Sequence, residues 1–335
     1  MKILVTGHAG YIGAVLVPLL LDAGHTVIGL DSFLFEDCTF GPPPVPVEAL
    51  RLDIRDTRVE HVRGFDAIVH LAALSNDPLG ALDPALTYAV NHTATVRLAR
   101  LARAAGVPRF VLSSSCSLYG AAGGDALLTE DAPFNPVSAY GESKMRAERD
   151  VSALADVTFS PTFLRNATAY GVSPRLRCDL VVNNLAGVAV TTGEVLVASD
   201  GTPWRPLIHV EDIARAIAAV LEVPRERVHG QAFNVGRTEE NYQIGEVARM
   251  VAAVVPGSRV RYAAGGGPDP RCYRVDCGKL ARLLPEFRPH WTVRRGIEEL
   301  RGAYAAYGLT LDDVTTRYVR LAHLRRRRAA ERATA

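Results

Sequence analysis

A short apolar run, KILVT (2–6), leads directly into a turn with three glycines spaced by three, Gly7, Gly10 and Gly13. This segment constrains the fold more than any other. The run reads as a buried strand, and Tyr11–Ala23 carries the apolar spacing of a helix. His25–Leu30 reads as a second buried strand that ends in Asp31. In a strand–turn–helix–strand unit the glycines allow a tight turn. They also bring backbone N–H groups up to a pyrophosphate at the positive end of the helix. A carboxylate at Asp31, 18 residues beyond Gly13, accepts hydrogen bonds from a ribose 2′-hydroxyl and repels a 2′-phosphate. The expected cofactor is therefore NAD rather than NADP.

The same segment is a poor export signal. One lysine precedes it, the glycine turn interrupts it, and the apolar run Ile12–Leu21 ends at Asp22 without a small-residue cleavage pattern. Ten apolar residues are too few to span a bilayer. No other segment reads as a transmembrane helix, so a cytoplasmic protein is expected. The net charge of +2 gives no reason to expect nucleic acid or a membrane as partner. The five cysteines are irregularly spaced and form no CxxC pair, which suits reduced thiols. The histidines form no HxH or HExxH pattern, so no metal site is expected.

Further along, ALRLDI (49–54), FDAIVHLAAL (65–74), RFVLSSS (109–115) and VTFSPTFLRN (157–166) are apolar runs. Helical patterns, such as 88–105 and 140–155, separate most of them. Alternating strands and helices imply an α/β protein with a doubly wound parallel sheet. Asp53 follows the third strand and reads equally as a base-edge ligand or a helix N-cap. GPPPVPVEA (41–49) and AAGGGPDP (263–270) read as surface loops. The basic tail RLAHLRRRRAAER (320–332) reads as a solvated helix end.

A second cluster carries the chemistry. SSSCSLYG (113–120) is followed by SAYGESK (138–144). Tyr140 and Lys144 stand four apart on an expected helix and share a face. An ammonium beside a phenol stabilises the phenolate. A phenolate near neutral pH can take a proton from a sugar hydroxyl as hydride leaves the same carbon. Ser115, at the end of the fifth strand, can hydrogen-bond the same oxygen. Strand C-termini are where open α/β sheets place their sites.

Taken in order, TGHAGYIG, LDSF, LDIRD, HLAAL, VNHTATVRLA, SSSCSLYG, YGESK, RPLIHVEDIARA and AFNVG resemble the extended short-chain dehydrogenase/reductase family over nearly the whole chain. The resemblance is strongest to its nucleotide-sugar epimerases and dehydratases. It implies a Rossmann fold with a smaller C-terminal substrate-binding portion. Residues 1–170 would bind NAD, with 206–238 returning to that domain. Residues 171–205 and 239–335 would form the nucleotide-sugar-binding portion and tail. Ser115, Tyr140 and Lys144 match the catalytic set. The implied cofactor residues are Gly7, Gly10, Tyr11, Ile12, Gly13, Asp31, Asp53, Ile54, Leu71, Ala72, Ala73, Asn91 and Ser113, together with Tyr140 and Lys144. The implied substrate residues are Cys116, Ser117, Asn166, Asn184, Arg205 and Arg271, with His209–Asp212 in a segment that binds the sugar nucleotide. A homodimer, paired through helices 88–105 and 140–155, is implied as well.

The chain departs from the family pattern in three places. Sugar-nucleotide 4,6-dehydratases carry Thr-Asp-Glu where this chain has Ser115-Cys116-Ser117, so the acids that remove water are missing. Cys116 is read as a small buried thiol or as an unusual acid/base. Thr168 stands where an asparagine commonly meets the diphosphate. The epimerases' late phosphate-binding arginine has no clear counterpart; Arg271 or Arg274 is the substitute. The expected activity is NAD-dependent C4 epimerisation of a nucleotide sugar through a transient 4-keto sugar. The alternatives are an NAD(P)H-dependent 4-ketoreductase, an atypical dehydratase using Cys116 or Glu142, and a non-catalytic NAD-binding scaffold.

Overall fold

The computed structural model describes residues 1–121, 126–265, 267, 269 and 271–333, with the backbone alone at 328 and 330–333. Its centre is a seven-stranded sheet of Lys2–Thr6 (β1), Thr26–Asp31 (β2), Ala49–Arg51 (β3), Ala67–His70 (β4), Arg109–Ser115 (β5), Ser160–Asn166 (β6) and Ala232–Val235 (β7). The spatial order is β7-β6-β5-β4-β1-β2-β3, and every pair is parallel. Strand order reverses between β1 and β4, which opens a crevice at the carboxyl ends of those strands.

Both faces of the sheet are buried, as a parallel sheet requires. Ile3, Val5 and Val69 face one core with Leu16, Ile213 and Ile217. Their neighbours Leu4 and Ile68 face the other with Leu98, Phe110 and Phe159. This two-residue alternation is the pleat itself. Each such fully buried aliphatic or phenyl side chain contributes about 1.5–3 kcal/mol over an exposed one. Helices Gly13–Asp22 and Val210–Glu222 pack together on the first face.

The expected helix 88–105 is a composite. A helix at Pro84–Tyr88 runs into a π-helical segment, Ala89–Ala94, before regular helix resumes at Thr95–Ala104. Periodicity does not reveal such an insertion, which often sits at functional positions. The expected helix 140–155 is observed at Ala139–Ser152, capped by Ser138 Oγ accepting from Gly141 N at 3.1 Å.

A second core gathers Tyr170, Val182, Leu185, Leu207, Val247, Val251, Ile297 and Leu300. It lies under a small sheet of Thr168–Tyr170, Trp204–His209 and Asn241–Gln243. Two expectations need correction. Segment 263–270 is not simply a surface loop, because Asp269 reaches the central cavity. The tail is helical over Arg320–Ala333, but its foot is not solvated: Arg320 and His323 are buried. Among the described residues no helix is long and apolar enough to cross a membrane.

Candidate active site

A continuous cavity of about 1010 Å³ fills the crevice and runs from the glycine turn to the small sheet. That is at the upper end for ligand pockets. Local chain geometry shapes its first wall. Gly7 has φ +72°, and a Cβ there would lie 2.7 Å from Ala72 N; a Cβ at Gly13 would lie 2.4 Å from the carbonyls of Gly7 and His8. Only glycines let this turn fold onto itself and onto the end of β4. The cradle they leave fits a dinucleotide phosphate. Gly10, Ile12, Leu71, Ala72 and Ala73 line the same wall.

Asp31 ends β2, where its carboxylate accepts from Ala9 N at 3.1 Å and Phe33 N at 2.7 Å. These bonds fix it at the cavity edge, and a carboxylate has further lone pairs for a ribose. Asp53 also lines the cavity, beside the buried Ile54, but its side chain caps the turn Ile54–Asp56. Arg55 binds it and holds its carboxyl below the usual range. The cap reading of Asp53 is the one its side-chain bonds show, at a position that also lines the cavity.

Tyr11 lines the wall, and its hydroxyl donates to Gly171 O at 2.8 Å. Asn91 departs from expectation. It is buried outside the cavity lining, on the π-segment. It accepts from Leu74 N at 2.8 Å and donates to Leu74 O at 3.0 Å and Ser143 Oγ at 3.2 Å. It therefore positions the chain after β4 rather than meeting a ligand.

Ser115, Tyr140 and Lys144 converge on the cavity, as the sequence implied. Burial pushes the Tyr140 phenol up to about 12, while a hydrogen bond from Ser115 pulls it down; the nearby Asp77 raises it and Arg177 lowers it. Lys144 is also buried, which lowers its ammonium to about 8. Its Nζ donates to Ser113 O at 2.8 Å and stands 6.0 Å from the Tyr140 ring centroid. The phenol is thus tuned by Ser115 rather than by a direct lysine contact, because the lysine is held by the strand carbonyl. Asn166 Nδ2 donates to Ser113 Oγ at 2.9 Å and leaves its buried Oδ1 unpartnered among the described residues.

At the far end of the cavity, Arg205 and Arg271 share one carboxylate. Asp269 lies 2.8 Å from Arg205 Nη2 and 2.5 Å from Arg271 Nη2. Arg271 also meets Asp77 at 2.5 Å, and Ser138 Oγ donates to the same Asp77. Ser117 and Tyr273 complete this end. Asn184 lines the cavity, with its Nδ2 on Cys178 O at 2.9 Å.

Two expected substrate contacts are not made here, and the reading of Cys116 as a small buried thiol is the one the structure bears out. Cys116 is fully buried behind the strand, with its Sγ on Arg165 O at 3.1 Å, and burial pushes its thiol well up. It has no path to a substrate. His209 and Asp212 are also structural. His209 stacks on Trp291 at 4.0 Å and bonds Glu299 at 2.9 Å. Asp212 accepts from His290 N and Trp291 N.

Sequence reading missed Asp77, Asp269, Arg177 and Asp179. Arg177 pairs with Asp179 at 2.9 Å and donates to Ser75 O at 2.9 Å, and Asn76 also donates to Asp179. Only Asp77 carried a signal: SNDP is a helix N-terminal pattern. A group of Asp37, Cys38 and His323, with side-chain donor atoms within 4.8 Å of one another, also lacked any motif.

Comparison with known proteins joins these observations. The model of the NAD dependent epimerase/dehydratase family matches residues 3–236. A UDP-glucose 4-epimerase of Corynebacterium glutamicum is 32% identical over 331 residues, covering 92% of this chain and 97% of its own. The solved structure of MoeE5 in complex with UDP-glucuronic acid and NAD superposes with a TM-score of 0.79 at 29% identity, covering 91% of this chain and 99% of that one. The NAD complex of the Thermus thermophilus UDP-glucose 4-epimerase gives 0.75 at 26% identity, with 91% and 99% covered. A glycine cradle, a ribose-edge acid and a Ser-Tyr-Lys set on one cavity agree with that match, and the chain belongs to the NAD dependent epimerase/dehydratase family, as an enzyme of the extended short-chain dehydrogenase/reductase type.

Proposed function

We propose that this enzyme epimerises a nucleotide sugar at C4 through a transient 4-keto sugar. The observation that carries the reading is the convergence of Ser115, Tyr140 and Lys144 on a cavity whose other end holds Arg205 and Arg271. Two guanidiniums at one end suit a diphosphate, because charge-assisted bonds to phosphate are strong. The Gly7–Gly13 turn, Asp31 and Lys144 would hold NAD. NAD, when bound, supplies the hydride acceptor and donor at the sugar carbon.

The chain's own residues manage the proton. Tyr140 Oη accepts the C4 hydroxyl proton and later returns it. The acceptor is the phenolate form, which a hydrogen bond from Ser115 favours against the burial that still leaves the phenol at about 12. Lys144, anchored on Ser113 O, is placed to orient a ribose hydroxyl. Cys116 takes no part, which removes one improvised acid from consideration.

One observation bears on a second reading, an atypical dehydratase. Asp77, the first residue of helix Asp77–Leu82, places a carboxylate near Tyr140, at the end where the dehydratase acids are missing. Both of its oxygens are engaged, by Ser138 and Arg271, so it suits an acceptor of a sugar hydroxyl better than a proton donor.

Proton NMR of the purified enzyme with UDP-, dTDP-, GDP- and CDP-hexoses tests the reading. A new anomeric doublet that grows to a fixed ratio supports epimerisation. A new C6 methyl signal would overturn it in favour of elimination. No change with any sugar would sink the self-contained epimerase for that panel.

A further inference from the structure

The arginine-rich C-terminal helix has no part in the chemistry above, yet its foot enters the cavity. Arg320 is 4% exposed and lines the cavity with Leu324 and Arg325. Its Nη2 donates to Arg175 O at 3.1 Å, and its guanidinium lies 4.2 Å over the Phe35 ring. Its Nη1 is buried with no hydrogen-bond partner among the described residues.

The element that anchors Arg320 is tied to the glycine turn itself. Arg175 Nε donates to Ala9 O at 3.2 Å, and Ser173 Oγ donates to Tyr11 O at 2.8 Å. Around the foot of the helix, Tyr318 Oη donates to Thr39 O at 2.9 Å, and His323 Nε2 lies 3.2 Å from Asp37 Oδ1. The helix also packs against Asp77–Leu82. It therefore bridges the loop beyond Asp31 and the loop beyond β4.

Burial lowers the Arg320 guanidinium to about 10; Arg177 and Arg175 lower it further, while Cys38 and Asp179 act the other way. Arg177 is already paired with Asp179. A buried donor without an acceptor costs about 1–3 kcal/mol, and more when charged. An anion beside the glycine turn would give the Arg320 Nη1 its acceptor.

We propose that Arg320 binds the diphosphate of the dinucleotide, and that helix 320–333 straps the cofactor into its cavity. The diphosphate of a nucleotide sugar offers the same chemistry. The position of Arg320, between Phe35 and the segment bonded to the glycine turn, assigns it to the cofactor.

The test titrates cofactor-stripped Arg320→Gln and Arg320→Lys with NAD, ADP-ribose, adenosine and UDP, followed by calorimetry. Arg320→Gln should weaken NAD and ADP-ribose by about 10–100-fold, the loss of one charge-assisted bond. Adenosine and UDP should bind as before, and Arg320→Lys should fall between. Equal losses for all four would reduce Arg320 to a structural role and overturn the proposal. A loss confined to UDP would overturn it in favour of the sugar nucleotide. If Arg320→Gln does not fold, hydrogen exchange on the unaltered protein decides: NAD should slow amides 320–327, and unchanged exchange would refute the strap.

Discussion

Lys144 Nζ donates to the Ser113 carbonyl at 2.8 Å, across the gap between helix Ala139–Ser152 and β5. That bond engages one of the three N–H donors of a buried cation, and burial lowers its ammonium to about 8. The unfolded chain holds that proton up to about pH 10.5. Below pH 8 both states are protonated, and the folded state bears the whole penalty, about 3 kcal/mol. Between pH 8 and 10.5 only the unfolded chain holds the proton, so stability rises with pH. Cofactor-free Lys144→Met should therefore be more stable than the parent at pH 7. The gap should narrow steadily above pH 8. Urea denaturation at pH 7, 9 and 10 checks this, and a gap that ignores pH would refute it.

Tyr140→Phe removes the proton acceptor and leaves the ring in place. Turnover should fall by about 10²–10⁴, the usual range for a general acid/base. Bound NAD, measured by acid release from the purified protein, should be unchanged. Ser115→Ala should cost less, because Ser115 only tunes that phenol. Comparable activity in Tyr140→Phe would remove Tyr140 from the mechanism.

Arg205 is 6% exposed and faces Asp269 at the far end of the cavity, where the proposal seats the sugar nucleotide. Arg205→Gln should raise KM for the sugar nucleotide by about 10–100-fold, since a charged hydrogen bond contributes about 1.5–3 kcal/mol. The kcat and NAD content should stay near the parent values. Steady-state kinetics with the sugar identified by NMR separates the two effects.

Gly7 combines φ +72° with a Cβ position 2.7 Å from Ala72 N. Backbone cannot yield as a side chain can. Gly7→Ala should destabilise the protein by about 1–3 kcal/mol or more from strain alone. Its melting temperature should drop even without cofactor, and NAD should raise it less than in the parent. Gly64→Ala, where nothing lies within 4 Å but φ is +78°, isolates the conformational part.

The helix that carries Tyr140 and Lys144 is fastened by a buried ion pair, Glu148 with Arg165 on β6, at 2.9 Å. Glu148→Ala would leave the Arg165 guanidinium without its carboxylate. Breaking such a pair costs about 3–5 kcal/mol. Chemical denaturation should show this, whereas Glu148→Ala with Arg165→Met should recover much of the loss.

The sequence was most legible where function and local chain geometry coincide. Strand β1, the glycine turn and Asp31 lie within 31 residues, and their order alone dictates a βαβ unit. Tyr140 and Lys144 share a helix face at a spacing of four, so their approach to one cavity follows from helical periodicity. Asn91 and His209, and Cys116 in its reading as a substrate contact rather than a buried thiol, were misplaced because family position says which segment a residue belongs to, not which way its side chain turns. In each case the polar atoms were claimed by protein partners. The residues that closed the cavity came from segments without periodic signal. Asp77 and Arg271 meet from positions 194 residues apart, and Arg320 reaches the glycine turn through Arg175. Local propensity determined the strands, the turn and the catalytic helix. Only long-range packing decided which charges face one another, because that depends on how separate elements are laid together rather than on the chain within any one of them.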